Sequence, residues 1–195
     1  MAIYRVLIIA APPLVIHVEC RIWNVRGLNK RDHQLALKDL VVEFRLQFIG
    51  LLQTCVHVNN ITRIQLAILP PWKLFVDLVT TGNCIWIAWD DDVLDVIVLE
   101  LGAQFIHCRV CIRAVHETVL ITVIYGANDV AVRRELWGSL SLLAPQCEEM
   151  PWLVDGDFNS LRDLSEVCGP TGDIRLVMEE FNACIMDTGL LPLPM

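Results

Sequence analysis

The sequence predicts an α/β fold of the α+β type, in which mixed β-sheets pack together and helices lie outside them. Three segments repeat apolar residues at helical spacing, and short apolar runs typical of strands lie between them. A run of short strands separated by turn signals occupies residues 73–125. Hydrophobic residues make up 55% of the 195 residues and charged residues 19%, against about 25% in soluble proteins. That balance fits sheets buried on both faces, or a fragment that lacks the part covering its core.

The individual elements follow from local patterns. Strands are predicted at 20–25, 48–52, 106–112, 119–125 and 152–155. The run at 119–125 is apolar on both faces and is expected to be a central strand, and the run at 152–155 is expected to be buried. The apolar faces of the predicted helices carry Leu37, Leu40, Val41 and Phe44, then Leu136, Leu140 and Leu143, then Ile174, Val177, Met178, Phe181 and Ile185. Residues 58–69 are ambiguous between helix and loop. Three consecutive aspartates at 90–92 favour a solvated hairpin tip over a metal site.

Charge and cysteine usage narrow the function classes. The formal net charge is −8 and no run of Lys or Arg occurs, which argues against tight non-specific binding of DNA. A site that holds phosphate through a bridging metal stays compatible with this charge. Cys108 and Cys111 lie three apart in a predicted strand and therefore on opposite faces, so they are not expected to share a metal or form a redox pair.

Residues 1–19 are interpreted as a leader of unknown role, and residues 20–195 as one domain. The apolar start is too short to span a bilayer and is broken by Arg5 and Pro12-Pro13. A cleaved signal peptide is the alternative. No membrane association is expected, and a nuclear or cytoplasmic location is favoured over secretion.

Three polar clusters follow predicted strands, at residues 23–28, 125–128 and 156–159. Function in layered α/β folds concentrates at such strand ends. Asp157 and Asn159 are two apart, so in an extended segment their side chains point the same way. A carboxylate and an amide together can orient a water and a phosphate oxygen. Each cluster alone is more typical of a turn, but the three in this order are specific.

In these clusters the sequence resembles the endonuclease/exonuclease/phosphatase (DNase I-like) family, and most closely the endonuclease domain of plant LINE-type non-LTR retrotransposon polyproteins, where it accompanies a reverse transcriptase. The resemblance runs from about residue 21 to residue 193. It rests on WNVRGLN at 23–29, FIGLL at 48–52, IWIAWD at 85–90, QFIHC at 104–108, YGAND at 125–129 and WLVDGDFNS at 152–160.

The resemblance implies a four-layer sandwich and Mg²⁺-dependent hydrolysis of a phosphodiester in DNA, with no small-molecule cofactor. It places Asn24, Gln53 and Asp157 at the metal. Tyr125 and Asn128 would hold the phosphate. Asp157 would orient or deprotonate the attacking water, and Asn159 would fix that water and the transition-state oxygens.

Two departures bear on activity. The family has a glutamate, its principal metal ligand, where this chain has Gln53, and a neutral amide is a poorer Mg²⁺ ligand than a carboxylate. The chain also ends before the closing strands that carry an aspartate and a histidine in the family, so we expect a C-terminally truncated domain. Asp155 could supply a second carboxylate, although a strand-end position facing solvent is the favoured interpretation.

Three hypotheses about function are compatible with the sequence. The first is a degenerate retroelement endonuclease with little or no activity and weakened Mg²⁺ binding. The second is a working phosphodiesterase of the same family that uses Asp155. The third is a non-catalytic binding or structural module on the same scaffold. The oligomeric state is not indicated by the sequence.

Overall fold

A computed structural model of the protein describes residues 3–8, 18–163 and 174–191. Within the predicted leader, side chains are described only for Val18 and Glu19. The side chain of Ile174, which is predicted on the apolar face of the third helix, also lies outside the described part. Within the described ranges, no helix is both long and apolar enough to cross a membrane.

The first sheet has five strands and mixed pairing. In spatial order its strands are β1, β2, β3, β5 and β4, of which β2 and β3 are parallel and the other neighbours antiparallel. The strand bounds are β1 Ile3–Ile8, β2 Val18–Asn24, β3 Phe48–Leu52, β4 Lys73–Val76 and β5 Ile85–Trp89. Every residue of β3 and β5 is buried, as expected for the middle of a sheet that is covered on both faces.

The second sheet is also mixed, and its described strands follow chain order. β6 and β7 form an antiparallel hairpin, β7 and β8 are antiparallel, and β8 and β9 are parallel. The bounds are β6 Leu94–Gly102, β7 Phe105–Ile112, β8 Glu117–Tyr125 and β9 Trp152–Asp157. The predicted central position of residues 119–125 is confirmed, because β8 pairs on both sides.

Helices cover the outer face of each sheet, which confirms the predicted four layers. The helices are α1 Arg31–Glu43, α2 Ile61–Ile68, α3 Val130–Leu143 and α4 Ile174–Asp187, with short 3-10 turns before α2 and after α3. One apolar core lies between the sheets, a second between α1, α2 and the first sheet, and a third between α3, α4 and the second sheet. The predicted apolar stripes at Leu37, Leu40 and Leu136 are buried in the outer cores.

Two local predictions differ from the structure. Residues 90–92 do not form a hairpin tip, because β3 and β4 already pair with both edges of β5 and β6 must begin the other sheet. There Asp91 pairs with Lys73 (2.8 Å) and Arg113 (3.1 Å), so the turn ties the sheets together at the surface. Residues 152–155 do form a strand, but they are half-buried rather than buried.

The strand β1 pairs with β2 along its whole length, from Ile3 opposite Trp23 to Ile8 opposite Val18. Part of the predicted leader is therefore hydrogen-bonded to the first sheet. The division of the chain into residues 1–19 and 20–195 stays a prediction.

Gly156 makes the closest backbone approach within the second sheet. Its φ is +145°, and a Cβ at this position would lie 2.0 Å from the carbonyl oxygen of Ile124 on β8. Only glycine fits here, since any side chain would force the parallel pair apart.

We expect Gly156→Ala to lower the free energy of unfolding by about 2 kcal/mol or more, because both the clash and the φ are unfavourable. Gly138→Ala is the matched control. It lies on the exposed face of α3 with open space around its Cα, and alanine favours the helix there by roughly 0.5–1 kcal/mol. Thermal and urea unfolding of both variants measure this. Equal stabilities would show that β8 and β9 do not approach as described.

Candidate functional site

A cavity of about 340 Å³ opens where the two sheets end together. It is lined by Asn24, Arg26, Gln53, Cys55, Tyr125, Asn128, Asp157 and Asn159. All six residues singled out from the sequence are in this set, although they come from four separate segments. These residues come together because the carboxyl ends of β2, β3, β8 and β9 lie at one edge of the two sheets.

Asn24 and Asp157 join the two sheets at the floor of the cavity. The last residue of β2, Asn24, donates from Nδ2 to Oδ2 of Asp157, the last residue of β9, at 2.9 Å. Asn24 is 7% exposed, and its Oδ1 is buried without a hydrogen-bond partner in the described part of the chain. The Asn24 amide is thus held through its nitrogen, and its oxygen is left as an unused acceptor.

Asp157 and Asn159 form a tight polar turn. The Asn159 backbone N–H donates to Asp157 Oδ1 at 3.1 Å, and Asn159 Nδ2 donates to the Gly126 carbonyl at 2.6 Å. The Gly126 N–H in turn donates to the Asp157 carbonyl at 2.7 Å. Both carboxylate oxygens of Asp157 therefore accept a hydrogen bond already, which holds the group in one orientation.

Two residues that were not predicted position the loop that carries Tyr125 and Asn128. Gln104 accepts from the Ala127 N–H through Oε1 (2.6 Å) and donates from Nε2 to the Val132 carbonyl (2.8 Å). The guanidinium of Arg133 donates to the carbonyls of Ala127 (2.7 Å) and Asn128 (3.2 Å). Arg133 is 4% exposed, and its burial lowers the pKa of the guanidinium.

The wall formed by Gln53 and Cys55 is held by the turn before β5. The Gln53 N–H donates to the Cys84 carbonyl at 2.8 Å, and Asn83 Nδ2 donates to the Val56 carbonyl at 2.6 Å. Asn83 Oδ1 also accepts from the indole of Trp86 at 2.5 Å, so the turn is anchored in the outer core. This places Gln53 across the cavity from the strand ends of the second sheet.

Backbone strain concentrates at this cavity. Seven non-glycine residues in the described part have a positive φ, and four of them line the cavity: Arg26 (49°), Gln53 (53°), Cys55 (51°) and Asn159 (48°). Such conformations are uncommon for residues other than glycine and persist where the surrounding structure holds them. Their clustering makes the cavity a candidate functional site, on an observation that does not depend on the residue types.

Arg26, like Cys55, lines the cavity although the sequence predicts no role for it. It follows Asn24 by two positions and is exposed, and its positive charge acts on Tyr125. Desolvation raises the pKa of the Tyr125 phenol, and the charges of Cys84, Asp157 and Cys55 raise it further, whereas Arg26 lowers it. The phenol is therefore a neutral hydrogen-bond donor at physiological pH.

The donor set fits a divalent cation poorly. Mg²⁺ is usually held by one or two carboxylates with water and substrate phosphate. Among the residues lining the cavity, Asp157 is the single carboxylate, and Arg26 brings an opposing positive charge. No group of three or more His, Cys, Asp and Glu side chains with metal-binding geometry occurs among the described residues. The carboxylate of Asp157 and the free Oδ1 of Asn24 are the groups of this lining that suit a metal.

Comparisons with known proteins identify the fold. No model of a known protein family matches the chain, and no curated protein matches it significantly in sequence. The endonuclease domain of TRAS1, a telomere-specific non-LTR retrotransposon, superposes with a TM-score of 0.60 at 13% identity, covering 85% of this chain and 69% of that one. The AP endonuclease LMAP from Leishmania major gives 0.65 at 12% identity, with 88% and 66% covered.

An endonuclease/exonuclease/phosphatase family protein from Bacteroides thetaiotaomicron gives a TM-score of 0.57 at 12% identity, covering 73% of this chain and 63% of that one. The chain thus spans about two thirds of the length of these three structures. Together with the two mixed sheets flanked by helices, the matches show that the chain has the DNase I-like fold. Identities this low show the fold alone.

Asp155 does not face solvent, and the prediction that it does is wrong. Leu153, two residues earlier, packs in the core between the sheets, so the alternation of β9 turns Asp155 to that same inner face. Its Oδ1 accepts from the Gly156 N–H at 2.7 Å, and its Oδ2 is buried without a described partner. Asp155 does not belong to the residues that line the cavity. Burial raises its pKa to about 7.

This raised pKa predicts a pH-dependent stability. In the unfolded chain Asp155 ionises near pH 3.8, but in the fold it resists ionisation up to about pH 7. Its contribution to stability is therefore full below pH 3.8, falls as the pH rises to 7, and is lowest above that. Asp155→Asn should raise the free energy of unfolding at pH 8 by on the order of 3 kcal/mol, and should change it little at pH 4.

Urea unfolding of Asp155→Asn at the two pH values tests this, with the exposed Asp92→Asn as the control. A gain that is equal at both pH values would contradict an ionisable, buried Asp155.

Proposed function

We propose that this chain is the endonuclease domain of a non-LTR retrotransposon polyprotein, of the plant LINE type, whose cavity binds a phosphodiester of DNA and hydrolyses it slowly or not at all. The six sequence blocks support the retroelement origin, and the fold match to the TRAS1 endonuclease domain agrees with it. The observation that carries the proposal is the cavity itself, in which Asp157 is fixed by Asn24 and lies beside Tyr125 and Asn128 without a second carboxylate.

The arrangement suits phosphate chemistry. Asp157 is held by Asn24 and by the turn at Asn159, so its carboxylate can orient a water molecule in a fixed direction. Tyr125 offers a neutral hydroxyl, and Asn128 offers an exposed amide on a loop held by Arg133. Such preorganised donors stabilise a phosphate oxygen without rearranging.

The same cavity explains why the rate is expected to be low. A Mg²⁺ ion, when bound in a site of this type, would neutralise the charge that develops on the phosphate. Asn24 Oδ1 and Asp157 would be its ligands here, and Gln53 supplies an amide where the resembling family has a glutamate. A site with one carboxylate holds Mg²⁺ weakly. The charge that develops on the phosphate during hydrolysis would then be poorly neutralised, and hydrolysis would be slow.

The proposal predicts that Gln53→Glu creates Mg²⁺-dependent nicking of supercoiled plasmid where the parent chain shows little. The gain should be about tenfold or more, because a second carboxylate strengthens the metal site. Adding Asp157→Ala to that variant should remove the activity by roughly 100-fold.

Gln146→Glu, an exposed change in the 3-10 turn after α3, is the matched control for added negative charge. Strong nicking by the unmodified chain that Asp157→Ala abolishes would show a competent enzyme and overturn the assignment of low activity. Nicking that survives Asp157→Ala would come from a contaminant.

A further inference from the structure

The backbone at Arg26 is held on both sides. The N–H of Val25 donates to the Leu52 carbonyl (3.0 Å), and the N–H of Gly27 donates to the Gln53 carbonyl (2.7 Å). The N–H of Leu28 continues this pairing to the Thr54 carbonyl, also at 2.7 Å. Arg26 therefore leaves a fixed loop in a left-handed conformation, with φ at 49°, and its side chain enters the cavity from a defined point.

The guanidinium of Arg26 has no hydrogen bond or ion pair to any residue in the described ranges. Asp157, the nearest acidic group of the cavity, is hydrogen-bonded to Asn24 and Asn159 instead, and the two charges do not come within ion-pair distance. The Asp157 carboxylate is thus hydrogen-bonded within the protein, whereas the Arg26 guanidinium keeps its N–H donors free for a ligand.

The unsatisfied groups of the cavity are mostly donors. Arg26 has five N–H donors, Tyr125 has a neutral hydroxyl, and Gln53 and Asn128 add side-chain amides. With one guanidinium and one carboxylate, the formal charge of the lining is zero. A cavity with this balance attracts a divalent cation less than an acidic one does, whereas a guanidinium binds a phosphate through two parallel hydrogen bonds.

We propose that the cavity binds the phosphate of a nucleic-acid backbone directly through Arg26, without a divalent cation. The proposal rests on the proposed function for the ligand class and adds the binding mode and the residue that provides it. Arg26 takes the position beside Tyr125 and Asn128 from which a guanidinium can reach a phosphate oxygen. Asp157, already hydrogen-bonded on both oxygens, stays a neighbour of that phosphate rather than part of a cation site.

The test is the affinity for a short fluorescein-labelled DNA duplex, measured by anisotropy at low salt in EDTA and again in Mg²⁺. Arg26→Asn removes the charge, and asparagine tolerates the left-handed conformation at this position. Arg109→Asn is the matched control, since Arg109 is exposed near the middle of β7 and outside the cavity. Thermal unfolding of each variant verifies its fold, and Arg26→Lys replaces Arg26→Asn if the latter does not fold.

We expect the parent chain to bind in EDTA, Mg²⁺ not to strengthen that binding because it competes for the phosphates, and Arg26→Asn to bind about tenfold or more weakly. Arg26→Lys should also bind more weakly, because an ammonium lacks the two-pronged geometry. The control should bind like the parent. Binding that requires Mg²⁺, or an equal effect of the variants at 26 and 109, overturns this inference and leaves the proposed function in place. Absence of DNA binding in both conditions overturns both.

Discussion

The apolar packing between the two sheets is the constraint on which the rest of the structure depends. Side chains of β2, β3 and β5 meet those of β7 and β8 in a continuous buried core. At Gly50 the sheets come so close that a Cβ would lie 2.9 Å from the Val123 side chain. This packing holds the two sheets face to face, and the ends of β2 and β9 are joined by the hydrogen bond from Asn24 to Asp157. The cavity is a consequence of where that packing ends.

Much of the fold could be predicted because its signals are local. Apolar periodicity marks α1, α3 and α4, and polar residues after buried strands mark Asn24 and Asp157. The contribution of Gln104 could not be predicted, because it acts by a hydrogen bond to a loop 23 residues further along the chain. Arg133 lies only five and six residues from the carbonyls that it holds, but in the sequence it resembles any polar residue at the start of a helix. The same limit applies to residues 90–92, since a turn between two strands of one sheet and a turn between two sheets have the same composition.

The residues that hold the shape of the site differ from the residues that set its charge. Asn24, Asp157 and Asn159 are held in place by backbone geometry and by short hydrogen bonds. The ligand that the cavity can bind depends on two further lining residues, the neutral Gln53 and the positively charged Arg26. On the binding mode proposed above, one amide and one guanidinium make this cavity more suitable for an anion than for a divalent cation. The strained backbone at both positions shows that the surrounding structure holds them where they are.

As proposed above, the cavity binds a phosphodiester but lacks the charge to hold a divalent cation. The most direct measurement uses Mn²⁺, which takes the same oxygen ligands as Mg²⁺ and broadens nearby amide resonances in the NMR spectrum. We expect no selective broadening at Asn24, Asp157 and Asn159 when Mn²⁺ is substoichiometric. Selective broadening of these three amides under that condition would show a competent cation site and would contradict the proposed lack of one.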